Sequence, residues 1–506
     1  MTPAAVPLAL LAASLVPALA IFPLGEERHG LRTTINLVGA TAKLALVAAV
    51  FAPVLDGQRF EFATSLAPGV DLVLRLDELS LLFIALSVAL WLVTTVYAVG
   101  YLEGSPHRSR FFGFFSLCVT STVGIALAGN LVTLLVFYEL LTLVTYPLVA
   151  HRGTPQALAG ARTYLRYTVA GGAVLLVAVA SLTALGGGGT FAPGGIAAVA
   201  ALADERPALM QALFLLLVAG FGVKAAVFPL HGWLPRAMVA PAPVSALLHA
   251  VAVVKAGAFG IVRVVDDVYG VAVATRLGVL VPLAAVAGFT ILYGSARALT
   301  QDDLKRRLAY STVSQVSVIV LGVAVGAVAG TTAALAHLVH QGLMKITLFF
   351  CAGAIAETHG LHRVSELRGI GRRMPLTTAA FTVGALGMMG VPPVAGFVTK
   401  YLLGVGALDA GHAWVVAVLA LSTLLNAAYF LPVVVAAWLR APDGPAPPEH
   451  APPEHAPPGR RRPECARTLL VPLVVTAVAS LAAGLFAAAP WSPLALAVAI
   501  AERTVP

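Results

Sequence analysis

The sequence predicts an all-α polytopic membrane protein with about fourteen transmembrane helices. Of its 506 residues, 59% are apolar and only 11% are charged, and the mean hydropathy is +0.92. Soluble globular proteins carry about 25% charged residues. Apolar runs of about 20 residues, long enough to cross a bilayer as a helix, recur along the whole chain. Because these runs are continuous rather than alternating, a transmembrane β-barrel is excluded.

Glycine- and proline-rich joins divide the chain into fourteen apolar spans. No basic residues precede the first span, so we interpret it as a transmembrane helix rather than a cleaved signal sequence. The spans are expected at residues 3–22, 33–54, 79–100, 111–128, 131–150, 164–186, 208–229, 243–264, 277–295, 308–326, 330–356, 376–403, 412–439 and 468–489.

Basic residues predict the orientation in the cell membrane. Most Lys and Arg lie in the odd-numbered loops, which the positive-inside rule places in the cytoplasm, with both termini outside, in the periplasm.

Loop 441–466 repeats APPEH and is expected to be an extended or disordered cytoplasmic segment. Its His/Glu repeat could bind metal weakly, but a solvated linker fits the composition better. Because the arginines are spread over many short loops, a nucleic-acid partner is not expected.

The lysines follow a different distribution from the arginines. All 26 arginines fall in loops or at span ends, whereas five of the six lysines fall inside spans. A buried lysine can lose its proton, but an arginine stays protonated. The pattern predicts interior side chains that change protonation state, although structural lysines bound to the backbone would also produce it. The five are Lys43, Lys224, Lys255, Lys345 and Lys400.

One acidic residue, Glu139, lies at the centre of a span. A carboxylate at this depth either takes up a proton or seeks a cation. We expect it to pair with Lys224, so that a proton gained or lost nearby would change the state of both groups. The alternative is a neutral glutamate that bridges two helices.

The eleventh span carries a polar stripe. His337, Gln341 and Lys345 follow one another at intervals of four residues and share one helix face, with His340 toward its edge. Histidine titrates near neutral pH and can pass a proton through its two ring nitrogens. The stripe predicts a proton relay, although a lone histidine in a core is more often a structural residue.

Two spans are interrupted by proline close to a lysine. Phe228–Pro229 follows Lys224, and Pro392–Pro393 precedes Lys400. Interrupted spans in corresponding places indicate inverted repeats around a site in the membrane. We therefore divide the chain into N-terminal helices, two inverted five-helix repeats that each contain a broken helix, a Pro-rich loop and a last helix, at residues 1–110, 111–264, 277–439, 441–466 and 467–506.

Five motifs resemble the antiporter-like subunits shared by respiratory complex I and the Mrp multi-subunit cation/proton antiporters. They are FYELLTLVTYPLVAH, GFGVKAAVFPLHGWLPRAMVAPAPVSALLH, DDLKRRLAYSTVSQ, HLVHQGLMKITLFFCAG and GVPPVAGFVTKYLL. The resemblance covers about residues 70–440, and the motifs are most similar to those of the D-type Mrp antiporter chain. It implies fourteen helices with two inverted five-helix repeats and two broken helices.

The resemblance also implies roles for particular residues. Glu139 and Lys224 match the family's paired acid and lysine, and Lys400 matches the lysine that faces the outer side. The relay positions are matched by His249, Lys255, His337 and Lys345, and the polar link before the tenth span by Asp302, Asp303 and Lys305. Many relatives have a second histidine where this chain has Gln341, so His340 or water would have to serve there.

Two further expectations concern positions where the resemblance is incomplete. Lys43 matches no position to which the family gives a role, so we expect it at the lipid edge or at an interface. The largest family members append a long lateral helix, whereas this chain ends soon after the last span. It is therefore not expected to be of that type.

These observations predict a proton-translocating membrane subunit of a monovalent cation (Na⁺)/proton antiporter, working with other membrane subunits. The alternatives are a proton-pumping subunit of a complex I-like NADH:quinone oxidoreductase and a membrane subunit of an ion-driven bicarbonate-uptake complex. No cofactor or metal site is expected in this chain, because Cys118, Cys351 and Cys465 lie far apart and form no Cys/His cluster.

Overall fold

The computed structural model describes residues 2–68, 70–441 and 464–505, and these residues are mainly α-helical. The predicted all-α class is therefore confirmed. The helices in the first half are α1 Ala5–Ile21, α2 His29–Leu55, α3 Glu78–Tyr101, α4 Arg108–Leu127, α5 Leu131–Val149, α6 Pro155–Leu182, α7 Ala197–Glu205, α8 Pro207–Ala225, α9 Ala242–Ala250 and α10 Val253–Arg263. Those in the second half are α11 Val271–Arg276, α12 Leu280–Leu299, α13 Leu304–Ala324, α14 Val328–His359, α15 Ile370–Arg373, α16 Pro375–Met389, α17 Ala395–Asp409, α18 Trp414–Leu439, α19 Arg467–Leu485 and α20 Pro493–Thr504.

Within the described residues, 12 helical stretches are long and apolar enough to cross a membrane. The predicted first span corresponds to the shorter apolar helix α1, and the predicted twelfth span to α16 and α17. Every predicted span thus coincides with a helical region. The total of fourteen crossings and the division into repeats stay predictions. Loop 441–466 lies almost wholly outside the described residues.

Local sequence explains where several helices begin. A side-chain oxygen accepts a hydrogen bond from a free backbone N–H of the first turn, which otherwise has no partner inside the helix. Asp77 caps α3 in this way, Asn130 caps α5, Thr154 caps α6, Asp303 caps α13 and Ser492 caps α20. Helix α6 also has proline at its first position, where no N–H is needed.

Both helix breaks predicted from proline are present. Helix α8 ends at Ala225, Ala226 has φ 55°, and Phe228–Pro229 is a cis peptide before two short 3₁₀ turns, Leu230–Trp233 and Pro235–Val239. Helix α16 ends at Met389, Gly390 has φ 85°, and Pro392–Pro393 is also cis before α17 begins. Each break leaves a helix end inside the protein, close to a lysine.

The predicted span 243–264 is not a continuous helix. It is interrupted at Val251 and Ala252, between α9 and α10, and neither proline nor glycine marks this break in the sequence. The N–H groups of both residues donate to the carbonyl of Leu247, at 3.1 and 2.9 Å, so the regular ladder stops there. Helix α10 then continues into a π-helical segment, Val264–Tyr269.

Two elements were not predicted from the sequence. An antiparallel hairpin, β1 Phe60–Ala67 and β2 Val70–Leu76, connects α2 to α3, with Phe60 opposite Leu76. Helix α20 follows the last predicted span, and Arg503 near its end forms an ion pair with Glu78 at the start of α3. Both elements therefore lie at the same end of the helical bundle.

Helix α14 is the centre of the fold. It has 32 residues, which corresponds to about 48 Å of helix. It packs against α3, α9, α13, α16, α17, α19 and α20. Its polar stripe is therefore enclosed by helices from both halves of the chain, including the broken helix that carries Lys400.

Candidate functional site

Most of the predicted site residues are buried inside the helical bundle. Seven of them have side chains that are at most 9% exposed, and Lys400 is the most exposed of the seven. We call these seven the buried row: Lys224, His249, Lys255, His337, His340, Lys345 and Lys400. Glu139 is the exception, because it is only half-buried on α5.

Lys224 occupies the last turn of α8, just before the break. Its Nζ atom donates a hydrogen bond to the backbone carbonyl of Tyr138 on α5 and lies 3.3 Å from the centre of the Tyr138 ring. A cation over an aromatic face is attracted by the ring quadrupole. The indole N–H of Trp233 donates to the carbonyl of Val223 at 2.7 Å, which satisfies part of the open helix end.

Glu139 lies beside Tyr138 but does not form the predicted direct ion pair. Among the described residues, its Oε1 atom has no hydrogen-bond partner, and the Lys224 ammonium donates to a backbone carbonyl instead. The carboxylate packs against Gly172 of α6, where any side chain would collide with it. Because Lys224 binds the carbonyl of the residue just before Glu139, the two charges can still act on each other through space.

His249 and Lys255 lie on either side of the break between α9 and α10. Both ring nitrogens of His249 and the Nζ atom of Lys255 are buried without a hydrogen-bond partner in the described part of the chain. The His249 ring packs on Phe349 of α14, with 4.6 Å between ring centres. Lys255 lies within electrostatic range of His337, His340 and Lys345, so α10 faces the stripe on α14.

The α14 stripe is bonded at its two ends. His337 Nδ1 is 2.9 Å from the Thr399 hydroxyl of α17. Lys345 Nζ donates to the Ser311 hydroxyl of α13 at 2.6 Å, and the Tyr429 hydroxyl of α18 donates to the same oxygen at 2.8 Å. The stripe is therefore tied to the broken helix at one end and to α13 and α18 at the other.

The middle of the stripe has unsatisfied polar groups. Both ring nitrogens of His340 and both amide atoms of Gln341 have no partner among the described residues, and the same holds for the Gln315 amide on α13. Leaving a buried polar group unpaired costs about 1–3 kcal/mol, so such groups normally bind ordered water. Gln315 is the last residue of the motif DDLKRRLAYSTVSQ, but the sequence analysis did not select it as a site residue, because only the structure places its amide deep in the protein without a partner.

Lys400 caps a helix end. Its Nζ atom donates to the carbonyls of Met388 and Met389 at 2.8 and 3.0 Å, and the Thr423 hydroxyl is 3.4 Å away. These carbonyls are the last of α16, where the helix dipole is negative. The broken helix therefore supplies the partner for a positive charge at this position.

A second buried charge cluster lies at the end of α10, and the sequence interpretation missed it. Arg263 is 2% exposed and donates to Asp267 at 2.7 Å and to Asp77 at 2.9 Å. Asp266 is buried beside it, and neither of its carboxylate oxygens has a partner in the described residues. The spacing of Arg263 and Asp267, four residues apart, was the available signal.

The polar link before α13 lies outside the buried row. Asp303 caps α13, Asp302 accepts a hydrogen bond from the Ser365 hydroxyl at 2.9 Å, and Lys305 donates to the carbonyl of Ala240 at 2.6 Å. These contacts connect the start of α13 to the segments before α9 and after α14. Asp302 and Asp303 hold chain segments in place, whereas Lys305 also lies within electrostatic range of His249 in the row.

Comparison with known proteins agrees with the fold and the motifs. Residues 128–426 match the family described as NADH:quinone oxidoreductase/Mrp antiporter, TM. NADH-quinone oxidoreductase subunit N of Desulforudis audaxviator (strain MP104C) is 39% identical, over 89% of each chain. NADH-quinone oxidoreductase subunit L of Mycobacterium tuberculosis is 35% identical over 68% of this chain, which spans only 53% of that longer protein.

A solved structure resembles the whole chain. The Mrp complex from Dietzia sp. DQ12-45-1b contains a chain that is 26% identical, with a TM-score of 0.86, covering 100% of this chain and 98% of that one. The multi-pass membrane fold and the resemblance predicted from the motifs are thereby confirmed. The chain belongs to the NADH:quinone oxidoreductase/Mrp antiporter transmembrane family.

Proposed function

We propose that the chain moves protons along the buried row, as a membrane component of a multi-subunit Na⁺/proton antiporter. The observation that supports this most strongly is the enclosure of the row's seven ionisable side chains between two broken helices. Lysine and histidine can each take up and release a proton, and the row contains no arginine, which cannot.

The ends of the row support alternating protonation. Lys224 and Lys400 both lie at broken helix ends and both donate to backbone carbonyls. Neither is locked to a carboxylate by a direct hydrogen bond among the described residues, so each can release its proton without breaking an ion pair. Between them, water would carry the proton, held by the unpartnered groups of His249, Lys255, His340 and Gln341.

Glu139 would control the first half of the row. Its negative charge favours the protonated form of Lys224, and removing or screening that charge releases the proton. Because Glu139 is half-buried at the surface of the bundle, another membrane subunit could reach it. We propose that partner subunits act on the row through this residue, with both termini outside and the odd-numbered loops in the cytoplasm.

A second candidate is a proton-pumping component of an NADH:quinone oxidoreductase-type complex. The 39% identity to subunit N over 89% of both chains favours this assembly, whereas the fit to the chain of an Mrp complex favours the antiporter. Similarity of the motifs to the D-type Mrp antiporter chain leads us to put the antiporter first. In the second candidate, the redox centres would lie in other subunits.

The two candidates make different predictions for the intact complex in lipid vesicles. An imposed Na⁺ gradient should move protons in the absence of any electron donor if the complex is an antiporter. Proton movement that appears only after an electron donor is added would reject the antiporter and support the redox complex. Proton movement under neither condition would contradict both.

A further inference from the structure

The interior lysine outside the buried row, Lys43, has a defined setting of its own. The expected position at the lipid edge or at an interface is wrong, because its side chain is 0% exposed on α2. Its Nζ atom donates to the Ser14 hydroxyl of α1 at 2.5 Å and lies 5.3 Å from the centre of the Trp91 ring of α3. The amine is therefore enclosed by α1, α2 and α3, deep within the bundle.

Hydroxyl groups continue from Lys43 toward one end of the bundle. Ser14 and Thr120 of α4 are joined at 2.8 Å, and Thr120 donates to the carbonyl of Ser116 at 3.0 Å. The Ser116 hydroxyl donates to the Asn36 side-chain oxygen at 3.0 Å. We call Lys43, Ser14, Thr120, Ser116 and Asn36 the N-terminal polar chain.

The polar chain reaches water beside the loop between α1 and α2. Asn36 donates to the carbonyl of Arg32 at 3.3 Å, and Arg32 donates to the Ser109 hydroxyl at 2.7 Å. Glu26, whose side chain is 44% exposed, lies 3.8 Å from Arg32 and accepts from the backbone N–H of Ser109 at 3.1 Å. Lys43 follows Arg32 by eleven positions along α2, which is about 16 Å of helix or half the hydrocarbon thickness.

The other side of Lys43 offers no such path along α1 or α2. Residues 44–55 of α2 and residues 5–13 of α1 have only apolar side chains. Along α1 and α2, polar side chains therefore connect Lys43 with the end of the bundle at the α1–α2 loop, and none lies in the opposite direction on these two segments.

No charge on the neighbouring described helices neutralises Lys43. Helix α1 has no charged residue, α3 has only Glu78 in its first turn, and α4 has only Arg108 and Arg110 in its first turn. The other titratable groups there face elsewhere: Tyr97 donates to the Phe350 carbonyl, Tyr101 accepts from Arg152, and the Cys118 thiol is 3.3 Å from Thr145 of α5. A lysine without a counter-ion at this depth is able to give up its proton.

We propose that Lys43 is a second proton-binding site, separate from the buried row and filled from the side of the α1–α2 loop through the N-terminal polar chain. On release, the ammonium proton passes to the Ser14 oxygen, the Ser14 proton moves to the Thr120 oxygen, and the Thr120 proton moves to a water that enters from the side of the α1–α2 loop. This leaves a neutral amine, unchanged hydroxyls and a hydronium ion on that side. Cys118 of α4 lies within electrostatic range of Lys224, whereas Thr120 faces Ser14 and Lys43. These two residues lie on opposite faces of α4, so this helix separates Lys43 from Lys224. The proposal does not depend on the transport function.

Nuclear magnetic resonance of the full chain in lipid bilayers can test the site directly. With lysine nitrogen labelled isotopically, the six lysines give distinct signals for amine and ammonium forms, and Lys43→Met identifies the signal of Lys43. We expect that signal to change from ammonium to amine between about pH 5 and pH 10, the range in which buried and free lysines titrate. A signal that stays in either form throughout this range would overturn the proposal.

The route is tested by two threonines of α4. Thr120→Val removes the link to Ser14 and should slow proton exchange at Lys43 about fivefold, the effect of one lost hydrogen bond. Thr122→Val is the matched control, because the Thr122 hydroxyl donates only to the Cys118 carbonyl of its own helix among the described residues. Equal exchange rates in the two variants would reject the route through Thr120.

Discussion

The two lysines at the helix breaks have different partners, although their positions correspond. Lys224 donates across to another helix, at the Tyr138 carbonyl, and feels the negative charge of Glu139. Lys400 donates to two carbonyls of its own broken helix, and among the described residues no acidic side chain acts on it. The first site can therefore be tuned by an acid, whereas the second relies on a fixed helix dipole.

This difference indicates how a single chain could pass a proton in one direction. A site whose charge balance depends on a half-buried carboxylate responds to whatever contacts that carboxylate. A site held by a helix end keeps the same environment. We propose that control enters at Lys224 and that Lys400 acts as the constant outlet of the row.

The largest effect is expected for Lys224→Ala. Removing the side chain eliminates a proton carrier, and positioned proton-transfer groups contribute about a hundredfold or more to rates. Na⁺-driven proton movement in vesicles should fall to background. Arg276→Ala is a suitable control, because Arg276 is exposed and pairs only with exposed Asp204 in the described structure. Normal transport in Lys224→Ala would end the proposal for the row.

Lys400→Arg should also stop transport, by about a hundredfold, while the protein stays folded. Arginine keeps the positive charge that the α16 carbonyls bind but cannot release its proton. The variant should unfold at the same temperature as the wild type when both are measured in the same detergent. Full transport in this variant would show that Lys400 serves only as a helix cap.

Glu139→Gln should reduce proton movement less than the two lysine substitutions do. It tests whether Lys224, unlike Lys400, is controlled by an acid. Losing the carboxylate charge weakens the hold of Lys224 on its proton, and coupling of this kind changes a binding affinity, here that of Lys224 for its proton, about tenfold. The pH dependence of proton movement should shift together with the rate. Among the described residues, no acidic side chain acts on Lys400, so no equivalent substitution exists at that site. An unchanged pH profile in Glu139→Gln would indicate that Lys224, like Lys400, is not controlled by an acid.

Gln341→Leu should slow transport about fivefold, the effect of losing one ordinary hydrogen bond to a water in the row. Gln341→His restores a group that can hold water and carry a proton, so transport should be at least as fast as in the wild type. Equal rates in the leucine and histidine variants would mean that Gln341 has no part in the path.

Much of the fold followed from local sequence, because apolar length and proline position act locally. Pro229 and the pair Pro392–Pro393 predicted the breaks near Lys224 and Lys400, and the separation of lysine from arginine predicted a buried ionisable interior. The motif resemblance then identified the family. These features depend on residue type and spacing alone, which a sequence displays directly.

The remaining features depend on contacts between distant segments. The Arg263 cluster needs Asp77 from the end of the hairpin, and the partner of Lys224 is a backbone carbonyl, which no residue type reveals. The break at Val251 and Ala252 has no proline or glycine to mark it. The burial of Lys43 likewise depends on how α1, α3 and α4 surround α2.

The most direct test of proton transfer through the row is the rate of Na⁺-driven proton movement by the intact complex carrying Lys224→Arg. Arginine keeps a permanent positive charge near Tyr138 and Glu139 but cannot release a proton at any working pH. We expect a folded, assembled complex whose proton movement equals that of protein-free vesicles. Proton movement at the wild-type rate would contradict the account and show that Lys224 acts as a fixed charge.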